Sequence, residues 1–330
     1  MILHPAIIAL LVSSFLVTAM VLLAFWFGVR ILRRWDLRSG SSLQLDLERR
    51  TYLISTVLAY AFGFQLISLF LLVYTADSLS ALFTGAMCAA GTFKVNGFGY
   101  PLLLLKVVNF LLAGLWLIMN HADNQAYDYP LVRKKYGLLM VIAPLVVLET
   151  ALQVLYFRGL RPEVITSCCG SLFSTGSATI ASDIASLPGA PMRLAFIAVI
   201  VATVVLGWVF IAAGKGGYAF ALSAGATFVV GLASLLSFIC TAVYELPTHH
   251  CPFCVLQREY HYIGYLFYAA LFGGAVNGMG VGLLMPFRGL PSLANALPSL
   301  QRRLAVVSLV FTVVLASVTG YILLRSNLQQ

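Results

Sequence analysis

Cys251-Pro252-Phe253-Cys254, followed four residues later by Arg258, sets two thiols and a fixed cation close together in the chain. Two residues between the cysteines allow a small disulfide ring that can open and close as a dithiol. At the start of a helix the backbone dipole stabilises a thiolate, and a thiol of low pKa leaves easily in exchange, so such a bridge is labile. Proline inside the motif suits a first helical turn. Arg258 can donate hydrogen bonds to a carbonyl and stabilise the negative charge that develops as a carbonyl compound is reduced. Tyr260 and His261 follow within reach of the same acceptor, although placement in an interfacial aromatic belt is their plainer reading. Together these types suit electron exchange between protein thiols and a lipid-soluble carrier. His249 and His250 stand directly before the pair, so His249, His250, Cys251 and Cys254 also form a candidate zinc or copper site. A static structural bridge is the third reading, and the motif by itself leaves all three open.

The chain holds six cysteines. Cys88 falls in the segment 76–99, Cys168 and Cys169 in 158–191, and Cys251 and Cys254 in 245–261. Cys240 lies about one turn from a helix end and reads as a small core residue. All these segments belong to one face of the chain, and disulfides persist on a face that no glutathione pool reduces.

The elements that must position these residues are membrane helices. Hydrophobic residues make up 61% of the sequence and charged residues 9%, against roughly 25% charged in a soluble domain. Apolar runs near the ~20 residues needed to cross the hydrocarbon core occur at about 6–29, 52–75, 100–120, 137–157, 192–213, 218–244, 262–285 and 304–324. Lipid offers no partner to a free backbone group, so each is a helix. The fold class is all-α: a polytopic membrane protein of about eight transmembrane helices, with a four-helix redox bundle in the C-terminal half. The domain reading is an N-terminal three-helix region, 1–136, and a five-helix region, 137–330.

Lysine and arginine orient it. Loops on one side carry thirteen cations and loops on the other carry six. The richer side is expected to be cytoplasmic, with both termini on the outer face of a cell inner (plasma) membrane. The net charge of +9 then reports topology and not a nucleic-acid partner. The first span lacks a basic leader region and a small-residue cleavage site, and reads as a retained helix.

This arrangement resembles the vitamin K epoxide reductase family of membrane thiol oxidoreductases and the analogous bacterial DsbB enzymes, over residues 137–324. In the first family a helix leads out to a loop of shuttle cysteines, two helices return, and a Cys-x-x-Cys opens the next. Here 137–157 leads to Cys168 and Cys169, 192–213 and 218–244 follow, and Cys251 and Cys254 precede 262–285. The DsbB likeness is an arginine four residues after Cys-x-x-Cys, matched by Arg258. The resemblance implies a quinone cofactor (ubiquinone or menaquinone), with Cys254 passing electrons to it near Arg258, His261 and Tyr260. It implies that Cys251 exchanges with a shuttle thiol, Cys168 or Cys169, and that an extracytoplasmic thiol protein is the partner. Adjacent cysteines bridge each other only through a strained ring, so Cys168 and Cys169 can have different partners, with Cys88 a candidate. No thioredoxin-like domain follows the last helix, and three extra helices precede the matched part.

Two other function classes remain: a metal or haem handling protein using His249, His250, Met87 and the cysteines, and a membrane subunit of a larger redox complex. Lys106 and Glu149 fall inside apolar helices at similar expected depth. They read as a buried pair or as a proton path, since charge inside a bilayer is costly. Gln65, Asn109 and Asn277 read as interhelical hydrogen-bonding groups. The small residues of 273–278 read as a close helix-packing face. The half-apolar segments 76–99 and 158–191 read as interfacial caps or lids. There is no nucleotide-binding loop, no Ser-His-Asp pattern and no haem-attachment motif.

Overall fold

The architecture is that of a computed structural model, which describes residues 3–35, 42–161, 163–166 and 187–327. Its long helices are α1 (Pro5–Arg34), α2 (Ser42–Leu79), α3 (Gly99–Asp123), α4 (Val132–Arg158), α5 (Gly189–Ala213), α6 (Gly217–Tyr244), α7 (Ile263–Leu284) and α8 (Ala296–Arg325). Among the described residues these eight are long and apolar enough to cross a membrane, and the chain is an all-α polytopic membrane protein. Large apolar side chains stand exposed along them, including Leu23, Trp26, Leu104, Trp208, Leu222 and Val229. So broad an apolar surface is at home in lipid and not in water.

The helices gather into two compact units. The first comprises Met1–Thr75, Phe93–Arg161 and Phe287–Leu297. Its core joins Val17, Val21 and Phe27 of α1, Phe62 of α2, Trp116 of α3 and Tyr136 and Leu139 of α4. Trp116 sets its ring edge against Phe62, 5.0 Å between centroids, and donates its indole N–H to Lys135 O at 3.0 Å. Thus α4, which the sequence reading grouped with the C-terminal helices, packs here on α1 and α3.

Buried charge in this unit is paired. Lys106 Nζ lies 2.6 Å from Glu149 Oε1 and donates to Ser68 Oγ, while Gln65 Nε2 and Asn109 Nδ2 both donate to Glu149 Oε2 at 2.6 Å. Helix α4 also starts earlier than hydropathy places it. Lys135, one of the thirteen cations counted in loops because it precedes the apolar run 137–157, is buried and meets Asp123 at 2.7 Å and Asn120 Oδ1 at 2.9 Å. A hydropathy window counts the charge but cannot see the carboxylate that neutralises it.

The second unit comprises Ala76–Thr92, Pro162–Pro286 and Pro298–Gln330. Its long helices are α5 to α8, with α6 packed between α5 and α7. Gly214 and Gly216, both with positive φ, make the tight connection from α5 to α6 that only glycine adopts without strain. Gly278 and Gly282, one turn apart on α7, face Ala224 and Ala221 of α6, and a methyl on either glycine would collide with the opposing alanine. The glycine run is therefore a close-packing face. Thr203 and Thr227 hydroxyls join α5 to α6 at 2.8 Å, and Ser308 Oγ donates from α8 to Gly274 O at 2.8 Å. The connection from α6 to α7, residues 245–262, carries Cys251 and Cys254. In these antiparallel pairs, the start of α5 and the end of α8 lie at that same end of the bundle.

Candidate functional site

The site is built where α2 runs out and where α6 hands over to α7. After α2 the chain makes a single 3-10 turn, Ser80–Leu82, and then the short helix Ala89–Lys94, with Cys88 directly before it. Asp77 organises this turn: its Oδ1 accepts from Ala89 N at 3.1 Å and from Gln257 Nε2 at 3.2 Å. Gln257 also donates to Met87 O at 2.7 Å. One amide and one carboxylate thereby tie the segment holding Cys88 to the segment holding Cys251 and Cys254.

The result is a convergence of sulfur. Cys88 Sγ lies 3.5 Å from Cys251 Sγ, and the sulfurs of Cys88, Cys251 and Cys254 all fall within 4.8 Å of one another. All three side chains are buried. Of the other sequence candidates, Cys168 and Cys169 lie outside the described residues.

The local backbone differs from the expected helix start. Cys254 opens a three-residue 3-10 turn, Cys254–Leu256, and a second such turn, Arg258–Tyr260, follows. Then His261 and Tyr262 take left-handed backbone, φ 54° and 56°, and α7 begins only at Ile263. Two consecutive non-glycine residues in that region are costly and reverse the chain sharply. The thiols therefore do not sit on the end of a long helix, and its dipole is not what acts on them.

What holds this stretch of backbone is a set of contacts to the carbonyls of Cys251 and Pro252. Tyr244 hydroxyl donates to Cys251 O at 2.6 Å, Cys240 Sγ approaches the same oxygen at 3.4 Å, and Tyr268 hydroxyl donates to Pro252 O at 2.9 Å. Cys240 and Tyr244, four residues apart, share one face of the last turn of α6. A π turn at Leu235–Ile239 directly precedes them and resets the helical register there. Cys240, read from sequence as a core residue, is thus a backbone support of the site.

The remaining candidates surround the thiols and do not enter them. Arg258 is exposed on its 3-10 turn, and His261 is exposed on the following residue pair. Tyr260 is half-buried, its ring 4.7 Å from Tyr244. His249 sets its ring edge against Tyr244 at 4.4 Å, and His250 Nδ1 lies 2.7 Å from Leu236 O. Among the described residues, the group of His, Cys, Asp and Glu side chains close enough to share one metal is Cys88, Cys251 and Cys254. The histidines before the motif are not part of it.

Chemically, thiols at this separation can exchange a disulfide between them with little movement. Three sulfurs within 4.8 Å also approach the spacing that a soft cation imposes when metal–sulfur bonds are about 2.3 Å. Sequence reasoning missed Asp77, Gln257, Tyr244 and Tyr268. The one signal available for the tyrosines was their place in or near apolar spans, where a buried hydroxyl needs a partner. No protein-family model, curated protein or solved structure matches this chain.

Proposed function

We propose that the protein is a membrane thiol:disulfide oxidoreductase in which Cys251 is the thiol common to two alternative bridges, with a membrane quinone as electron acceptor. The observation that carries this reading is the 3.5 Å approach of Cys88 Sγ to Cys251 Sγ, with Cys254 in the same cluster. In the oxidising direction, the thiols of Cys251 and Cys254 give up two electrons and two protons. Their S–S bond forms, and the quinone takes up both electrons and both protons as quinol. Cys88, as thiolate, then attacks Cys251 Sγ. The Cys88–Cys251 bond forms, the Cys251–Cys254 bond breaks, and Cys254 leaves as thiolate. Burial of the three thiols keeps a half-finished exchange away from other thiols and from water. An outer thiol protein is the proposed end partner, reached through thiols such as Cys168 and Cys169 that the family resemblance implies as shuttles.

The test is to reduce the purified full-length protein, add decylubiquinone, and follow quinol formation alongside mass-spectrometric mapping of alkylated peptides. The reading expects about one quinol per bridge formed, and both Cys251–Cys254 and Cys88–Cys251 peptides. No quinol and no bridge among these cysteines would overturn it.

A second reading has its own observation, the mutual spacing of the same three sulfurs. It makes the site a soft-metal centre with Cys88, Cys251 and Cys254 as ligands. Stoichiometric zinc or copper(I) in the purified protein, lost in Cys88→Ser, would favour it over the first.

A further inference from the structure

Three thiols that exchange bridges when oxidised are also three sulfur ligands when reduced. Cys88, Cys251 and Cys254 all belong to the second unit, and their sulfurs lie within 4.8 Å of one another, Cys88 and Cys251 at 3.5 Å. Two sulfurs bound to one ion at about 2.3 Å stand no more than ~4.6 Å apart. A small inward shift therefore sets all three on one ion.

The donors select the ion. All three are sulfur, and among the described residues no histidine or carboxylate stands close enough to join them. His249 turns its ring to Tyr244 at 4.4 Å, and His250 Nδ1 lies 2.7 Å from Leu236 O. Thiolates and thioethers are soft ligands, and they select soft ions such as copper(I). Zinc in a closed site takes four ligands, whereas copper(I), a filled-shell ion of single charge, is complete with two or three sulfurs. Burial points the same way: Cys88 and Cys251 are 0% exposed and Cys254 is 5% exposed, which keeps bulk water from a fourth position. Met87, directly before Cys88, is 72% exposed. It places a thioether at the surface, where a soft ion arrives, and Gln257 fixes its carbonyl at 2.7 Å.

Bridge and ion exclude each other. Either bridge, Cys251–Cys254 or Cys88–Cys251, uses two of the three sulfurs, and a disulfide sulfur is no longer a thiolate. Conversely, the free thiolate is the nucleophile in exchange, and a sulfur whose electron pair is bound to copper(I) cannot attack.

We infer that the reduced site captures one copper(I) ion on Cys88, Cys251 and Cys254, and that the captured ion blocks disulfide exchange, so that copper(I) regulates the relay. For each thiolate ligand, capture breaks one S–H bond and forms one S–Cu bond. The proton leaves to water and no electron moves. Release reverses these steps, and bridge formation resumes with the quinone as oxidant. The inference rests on the thiol:disulfide reading for the exchange that copper(I) stops. It differs from a permanent metal centre in that oxidation of the thiols closes the site to the ion.

The experiment uses the full-length protein in nanodiscs, reduced and freed of metal without oxygen, and titrates it with copper(I) presented as its bicinchoninate complex. One equivalent per chain is expected to transfer to the reduced protein, and none to protein whose Cys251–Cys254 bridge has been formed with diamide. Cys88→Ser, Cys251→Ser and Cys254→Ser, each nearly isosteric, should each weaken binding at least about ten-fold, since even outer partners of a metal site are worth 10–100-fold. His249→Ala with His250→Ala should leave binding unchanged. One equivalent of copper(I) should stop bridge formation by decylubiquinone, and excess bicinchoninate, which strips the ion, should restore it. Thermal unfolding of each variant separates loss of binding from loss of fold. No transfer to reduced protein would overturn the assignment, as would transfer that survives both Cys88→Ser and Cys251→Ser. Binding lost in the histidine variant and kept in Cys88→Ser would overturn it too, as would uptake of zinc without copper(I). Bridges that form at an unchanged rate in loaded protein would remove the regulatory role. The relay is judged separately. Bridges in metal-free protein that binds no copper(I) would sink the inference and leave the relay standing. Copper(I) binding in a protein that forms no bridge with decylubiquinone or diamide would sink the relay and the switch with it, leaving a plain metal centre.

Discussion

Cys88 Sγ and Cys251 Sγ meet at 3.5 Å although 163 residues separate them in the chain. Two hydrogen bonds hold the connection: Gln257 reaches Asp77 and the carbonyl of Met87, the residue before Cys88. The thiol pair therefore depends on a neighbour of each cysteine and not on the cysteines alone.

A shared thiol has a simple signature. Cys254→Ser should leave a Cys88–Cys251 bridge, Cys88→Ser should leave Cys251–Cys254, and Cys251→Ser should abolish both. Peptide mapping after mild oxidation reads these outcomes directly. A Cys88–Cys254 bridge in wild-type protein would displace Cys251 from its central role.

The Asp77–Gln257 tether should set the rate of exchange. In Gln257→Leu, Cys88 loses its fixed approach, and formation of the Cys88–Cys251 bridge should slow by about ten-fold, the equivalent of one net hydrogen bond or two. The Cys251–Cys254 bridge should form at an unchanged rate, because its geometry is internal to the loop. Quenched-flow alkylation distinguishes the two rates. Equal slowing of both bridges would mean that the tether supports the whole loop.

Lys106 and Glu149 make a second decisive pair. Glu149→Gln leaves a buried ammonium with its countercharge gone, and such a loss costs about 3–5 kcal/mol. Lys106→Met strands the carboxylate similarly, although Gln65 and Asn109 still donate to it. The double variant should recover most of the folded yield that either single change loses, with a coupling energy of ~1–3 kcal/mol. Simple addition of the two losses in a detergent-stability assay would show that the pair contributes no coupling.

Close helix approach at Gly278 predicts a steric effect. Gly278→Leu places a branched side chain against Ala224, where even one methyl collides. Overpacking of this kind costs about 1–3 kcal/mol or more, so the thermal midpoint should fall. Gly289 has open space at its Cβ position, and Gly289→Ala should leave the midpoint nearly unchanged.

How much of this was legible in the sequence differs by kind of residue. The long apolar runs required helices, because lipid satisfies no backbone group, and their number needed no tertiary information. The glycines of α7 were readable as a packing face from composition. Lys106 and Glu149 were readable as partners because a charge in an apolar helix has few acceptable fates. Their full circle was only half readable: Gln65 and Asn109 stood out as polar residues in apolar runs, but nothing in the chain tells which oxygen they reach. Lys135 was misplaced for the complementary reason, since its neutralising Asp123 lies on another helix.

The candidate site divides the same way. The spacing of Cys251 and Cys254 is local, so the sequence by itself determined that a dithiol motif stands where one membrane helix gives way to the next. The helix-start chemistry expected of it was not local after all. His261 and Tyr262 turn the chain through left-handed backbone, and the preference of ordinary side chains against that conformation gave no warning. Asp77 and Gln257 are unremarkable types in connecting segments, and their pairing across the chain has no pattern to read. Only the tertiary structure decided that Cys88 joins the pair and that Tyr244, Cys240 and Tyr268 approach the carbonyls of Cys251 and Pro252. Periodicity and spacing report what a residue's near neighbours impose. Contacts between distant segments depend on how helices pack, and the terms that choose among packings are spread over many side chains at once.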